Sequence, residues 1–220
     1  MSTTMPAVTE FRFHTKLDQT ILLGRSARTI PDLLDGIRGV PPASIYFHTH
    51  RFLQQHMFLS PEPPNDFAHW VTTSLNENNL GEQLSGIDIV QFTKISDLRS
   101  RFIEIIEGQL GHLTQIVEAP PGEEFYFMAS QTFVLQTPYT VRTLAEFADS
   151  VQKVTVQSLS HHIFDARLRL ERGENDFSAW FRQLGYEQLA REVLRLDPYT
   201  QSMESLRKRI VQLVRHHDQD

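Results

Sequence analysis

The feature that most constrains this chain is that it repeats itself. Phe11-Arg12-Phe13 returns 114 residues later as Phe125-Tyr126-Phe127. At the same offset Arg28-Thr29-Ile30 returns as Arg142-Thr143-Leu144, Ser44-Ile45 as Ser158-Leu159, and His48 as His162. Asn65-Asp66-Phe67 with Trp70 returns as Asn175-Asp176-Phe177 with Trp180 at offset 110, which assigns the first copy four extra residues, Pro61-Glu62-Pro63-Pro64. Leu98-Arg99 with Arg101 returns as Leu206-Arg207 with Arg209 at offset 108. Both tryptophans of the chain fall in matching places. The organisation expected is a first copy over 11–111, a linker over 112–124 rich in Pro, Gly and Glu, and a second copy over 125–217. A period this long points to a duplicated domain and not to a solenoid of short repeats. The two copies are expected to pack with pseudo-twofold symmetry.

Each copy opens with β-prone residues, read as one or two short strands: Phe11 and Phe13 with Ile21-Leu22-Leu23, then Phe125 and Phe127 with Phe133-Val134-Leu135. A helix start follows. Thr143 with Glu146 fits a capping box, and Thr29 with Asp32 is its weaker counterpart. A second helix carries Ile45, Phe52 and Leu53, or Leu159, Ile163 and Phe164. A third begins at Asn-Asp-Phe, where Asn or Asp caps the first turn and Phe and Trp share a face at i, i+3. Short helical segments at 80–87 and 189–196 precede a longer amphipathic helix that ends each copy. The fold class expected is therefore α+β and mainly helical. Each of the two tandem copies is a small domain of a short hairpin or strand plus four to five helices.

Phe-x-Phe, an Arg-Thr helix start, an aromatic-rich helix bearing His48 or His162, and then Asn-Asp-Phe-x-x-Trp resemble a prokaryotic domain family of unknown function. The resemblance covers nearly the whole chain, twice. It implies an architecture and carries no activity.

Composition narrows the functional classes. With 21 basic and 27 acidic residues, net charge −6, the chain lacks the basic excess of a nucleic-acid binder. Short basic runs such as Arg167, Arg169 and Arg172, or Arg207, Lys208 and Arg209, read as solvated helix faces. There is no cysteine, which removes disulfides, thiolate metal sites and Cys nucleophiles. No apolar run approaches the ~20 residues that span a bilayer. The start MSTTMPAVTEF lacks the charged and apolar regions of a signal peptide, so the cytoplasm is the expected location and no membrane partner is expected. P-loop, dinucleotide-binding and nucleophile-elbow motifs are missing.

Chemistry, if present, would sit on the histidines. His48 and His162 occupy matching places. Two imidazoles with Asp66, Asp176 or Asp165 have the donor types that zinc or iron takes, and the metal set read this way is His48, His162 and Asp165. The structural reading is a clasp, in which each His bonds the capping Asn or Asp of the next helix. Asp66 and Asp176 read either as acid–base carboxylates or as helix-start residues. Arg28 and Arg142 stand before a helix N-terminus, where an anion binds well, or pair with an internal carboxylate. With Trp70 and Trp180, these eight residues form the candidate ligand-binding set. The function expected is a non-catalytic binding or regulatory module, without a cofactor, for a protein or small-molecule ligand. The alternative is an enzyme with a His/Asp site, metal-dependent or not, where the copies meet.

Overall fold

The computed structural model describes residues 10–51, 65–112, 115–166, 174–196 and 202–219. The extra residues 61–64, together with Phe52, Leu53, Arg167, Arg169 and Arg172, lie outside them. The architecture is α+β and mostly helical, with ten α-helices and one two-stranded sheet among the described residues.

Where short strands were expected, each sequence half has one strand of 17 residues, β1 (Phe11–Ala27) and β2 (Phe125–Val141). The polar stretch Asp18-Gln19-Thr20 does not break β1. Strand propensity is mostly a matter of neighbours, and here the neighbour is β2. Thr137 donates its hydroxyl to the Phe13 carbonyl at 2.7 Å, and Thr132 donates to the Asp18 carboxylate at 2.6 Å. Partners ascend along β1 as they descend along β2, so the pair is antiparallel.

The chain divides into two compact units whose membership crosses the sequence order. Unit one is Met1–Leu17 with Phe133–Asp220, and unit two is Asp18–Thr132. Unit one therefore holds Phe11 and Phe13 from the start of the chain, and unit two holds Phe125 and Phe127. These units differ from the segments 11–111 and 125–217 in the strand each contains.

Unit two contains α1 (Ile30–Gly39), α2 (Pro42–Tyr46), α3 (Asp66–Thr73), α4 (Asn78–Ser85) and α5 (Ile95–Leu110). A π-helical turn, Phe47–Arg51, extends α2. The capping box expected to be the weaker one is complete. Thr29 accepts from the Asp32 amide, and Asp32 accepts from the Thr29 amide. Helix α1 packs on α5, and α3 packs on α4. Their inner faces bury Leu33, Ile37, Phe67, Trp70, Leu80, Phe102 and Ile106 around Phe125 and Phe127. Gly36 is required here. A Cβ at that position would stand 2.0 Å from the Phe127 ring, so only glycine lets the ring reach the helix backbone. The segment 115–124, read as a linker, is tied to this unit by the Ala119 amide donating to the Arg28 carbonyl at 2.8 Å.

Unit one contains α6 (Leu144–Val151), α7 (Val156–Ser160), α8 (Asp176–Gln183), α9 (Glu187–Leu194) and α10 (Met203–His217). A π-helical turn, His161–Asp165, extends α7. Helix α6 packs on α10, and α8 packs on α9. Thr143 accepts from the Glu146 amide, but Glu146 reaches past the cap to the Arg142 amide at 2.7 Å, so this box is incomplete. Phe147, Phe177, Trp180, Phe181, Leu189 and Ile210 bury Phe11 and Phe13 among them.

Candidate functional site

In both units the candidate histidine is the second residue of the π-helical turn. Such turns are rare and recur at functional positions. In unit one the His162 Nδ1 lies 2.8 Å from Asp176 Oδ2, and the His14 backbone amide donates to His162 Nε2 at 2.9 Å. In unit two the His48 Nδ1 lies 2.7 Å from Asp66 Oδ2, and the Met128 amide donates to His48 Nε2 at 3.0 Å. A nitrogen facing an amide N–H must accept, so each neutral imidazole carries its hydrogen on Nδ1 and gives it to the carboxylate. Both ring nitrogens are occupied. Each histidine ties the start of an Asn-Asp-Phe helix to the backbone of a strand, immediately after its Phe-x-Phe.

The Asn-Asp pair divides its labour. Asn65 caps α3 by accepting from the Ala68 amide at 2.8 Å, and its own amide donates to the Leu84 carbonyl at 3.0 Å. Asn175 accepts from the Ser178 amide at 2.8 Å. The Asp carboxylates are thereby left to hold the imidazoles. Rings enclose the clasp on its apolar side. His48 lies 4.7 Å from Phe125 and 5.4 Å from Phe67 between ring centroids, and His162 lies 5.0 Å from Phe11 and 5.5 Å from Phe177. Burial holds the His162 imidazole below its ordinary value of 6.5. Asp176 opposes this, and His161 and His14 add to it.

Unit one has further polar groups around Asp165, and among them the sequence gives no sign of Lys16. Lys16 is buried, with its Nζ 2.8 Å from Asp165 Oδ2. His161 is buried beside it. Its Nδ1 lies 3.6 Å from Asp165 and has no hydrogen-bond partner among the described residues, and neither has the buried Ser160 hydroxyl. The His14 ring lies 6.4 Å from that of His161 and 6.0 Å from that of His162. His161, His162 and Asp176 each place one donor atom within 4.8 Å of the others, the spacing of a metal cluster. Against that use, the His162 Nε2 lone pair is already taken by the His14 amide. Lys16 escaped notice because alternation from Phe11 and Phe13 puts position 16 outward. The alternation shifts after Phe13, leaving Lys16 buried and Leu17 exposed.

The remaining candidates are each held by partners of their own. Arg28 pairs with Glu118 and Arg142 with Glu10, each at 3.3 Å on the surface. The Trp70 indole donates to the Glu123 carbonyl at 2.6 Å, and Trp180 packs at 5.6 Å from Phe11. The set His48, His162 and Asp165 is not gathered within either unit. His48 is held by Asp66 in unit two, and His162 and Asp165 bond to Asp176 and Lys16 in unit one. A shallow groove of about 430 Å³ lies elsewhere on unit one, between α9 and α10, lined by Arg195, Leu196, Arg209 and Leu213.

No helix among the described residues is long and apolar enough to cross a membrane. Among solved structures the chain is similar to OrfY from Thermoproteus tenax. The two share 28% sequence identity and a TM-score of 0.81, over 96% of this chain and 97% of that one. Among curated proteins no relative matches. Residues 8–215 match the family described as "Family of unknown function (DUF5752)", and the chain belongs to that family.

Proposed function

We propose that this protein is a non-catalytic binding module, built by internal duplication, whose working surface in each unit is the strand segment that the unit contains. The observation that carries this reading is the distribution of exposed apolar side chains. Of the nine large hydrophobic residues exposed among the described residues, seven lie on the two strands: Leu17, Ile21, Leu22, Tyr126, Phe133, Val134 and Leu135. Solitary exposed apolar residues are ordinary, whereas their concentration on one element marks an interaction surface. The repeated histidines support the same reading, because a general base needs a free lone pair and each of these has none. The matched clasps, caps and Phe-x-Phe strands support the duplication.

The test is affinity capture with the full chain and with a Leu22→Lys variant, at low and high salt. The reading expects a protein or small ligand held by the wild type and released by the variant. Retention of nothing under any condition, with no self-association either, would sink it.

A second reading, an enzyme site in unit one, is favoured by one observation, the buried His161 Nδ1 that has no hydrogen-bond partner among the described residues, beside Asp165 and Lys16. Elemental analysis of untagged protein purified without chelator tests its metal-dependent form. About one zinc or iron per chain, lost in a folded His161→Phe variant, would favour it.

A further inference from the structure

We propose that the outer edge of β2 is a pairing edge for the same strand of a second copy of this chain, so that the protein forms a symmetric dimer through Phe133, Val134 and Leu135. The proposal rests on the binding-module reading and names the partner. A two-stranded sheet leaves one edge of each strand without a strand neighbour, here among the described residues. Such edges invite pairing and are ordinarily blunted by charged residues. Strand β1 carries Arg12, Lys16, Asp18 and Arg25. Strand β2, with the same 17 residues of length, carries no charged residue at all.

Three consecutive exposed apolar residues stand at the centre of β2. Phe133, Val134 and Leu135 are 44%, 51% and 51% exposed, and all belong to the part of β2 in unit one. Successive residues of a strand point to opposite faces, so this stretch of β2 is apolar on both. Leu17, at 61% exposure in the same unit, adds to it. Pro138 has no N–H to offer a neighbour and limits the paired stretch on its C-terminal side.

The absence of charge points to a second copy as the occupant. An antiparallel pair of identical strands related by a twofold axis sets residues near the strand centre against their own counterparts. Like charges facing across such a pair repel, and β2 brings none. An apolar strand of its own kind thus fits both the backbone edge and the side chains.

The experiment is sedimentation velocity on the full chain from about 1 to about 100 μM, the range in which a small strand interface would dissociate. The expected species is a reversible dimer of the 25.5 kDa chain. Val134→Lys and Val134→Glu, both at an exposed position, should each weaken it at least about tenfold while leaving the circular dichroism unchanged. Mixing the two variants in equal amounts should restore the dimer, because opposite charges then face each other. A wild type that stays monomeric throughout, a Lys variant that dimerises like the wild type, or folded variants that fail to recover on mixing would each overturn the proposal. A monomer that still captures another protein through Leu22 would overturn this inference and leave the binding-module reading standing.

Discussion

In unit one and unit two the same groups do the same work. Two phenylalanines of a strand enter an aromatic core, the next backbone amide bonds an imidazole, and an Asn-Asp pair holds the helix that carries the following Phe. The units differ in what surrounds that arrangement. His14, Lys16, His161 and Asp165 in unit one stand at the offset of Met128, Ser130, Phe47 and Arg51 in unit two. The shared groups account for folding in both units. The unshared groups are dispensable for holding a strand, since unit two holds its own without them. Any property peculiar to one unit therefore belongs to the second set.

The largest test of that division is Asp165→Ala. Removing one member of a buried ion pair costs about 3–5 kcal/mol, and the member removed here is the carboxylate 2.8 Å from the Lys16 ammonium. The loss should appear in unit one. Each unit has one tryptophan, so fluorescence in a Trp70→Phe background follows unit one and in a Trp180→Phe background follows unit two. Denaturant unfolding should show the Trp180 transition displaced strongly and the Trp70 transition much less. Equal displacement of both would show that the pair supports the whole molecule. Replacing Lys16 by Met together with Asp165 by Leu should recover most of the loss, as apolar replacements of buried pairs commonly do.

The second test addresses the shared groups. His48→Ala and His162→Ala each leave a strand amide and a carboxylate without their imidazole. Stranded polar groups of this kind cost about 1–3 kcal/mol. The two losses should be similar, each read by the tryptophan of its own unit. A negligible cost in one unit, with a large cost in the other, would break the equivalence and point to a different role for the cheaper histidine.

The clasp was legible in the sequence because its parts are local. His162 and Asp176 are 14 residues apart and His48 and Asp66 are 18, and Asn-Asp-Phe at a helix start announces a cap. The division between Asn as cap and Asp as imidazole partner follows from side-chain reach, which residue types alone do not settle. The strand partners were not legible. His14 and His162 are separated by 148 residues, and nothing in the spacing of either assigns Phe11 and Phe13 to the helices of the second half. Lys16 was hidden for a different reason. Alternation predicts an outward lysine, and the carboxylate that holds it inward is distant in sequence. The stretch 112–124 has the composition of a linker, yet Ala119 is buried and Trp70 bonds Glu123 within it.

The smallest expected effect is also the one most specific to unit one, and it appears as a dependence on pH. An imidazole whose folded value is lowered favours the neutral form in the native state. Between its unfolded value of 6.5 and its lower folded value, the unfolded chain binds more protons, so stability falls as pH falls. The carboxylates lowered by their partners, Glu10 and Glu192, start from 4.5, so their loss comes at more acid pH. The window below 6.5 is thus where the His162 imidazole acts. Burial is the main cause at His162, with His161 and His14 adding smaller repulsions. Replacing His14 by Met and His161 by Phe, the residues unit two has at those places, should therefore make the acid loss of unit one shallower without abolishing it. Denaturation midpoints at pH 7.5, 6.0 and 5.0, followed through Trp180, measure the slope. Complete disappearance of the slope in that variant would show that neighbouring charge, and not burial, sets the His162 proton affinity. The clasp would then be acid-sensitive only in the company of the unit-one histidines.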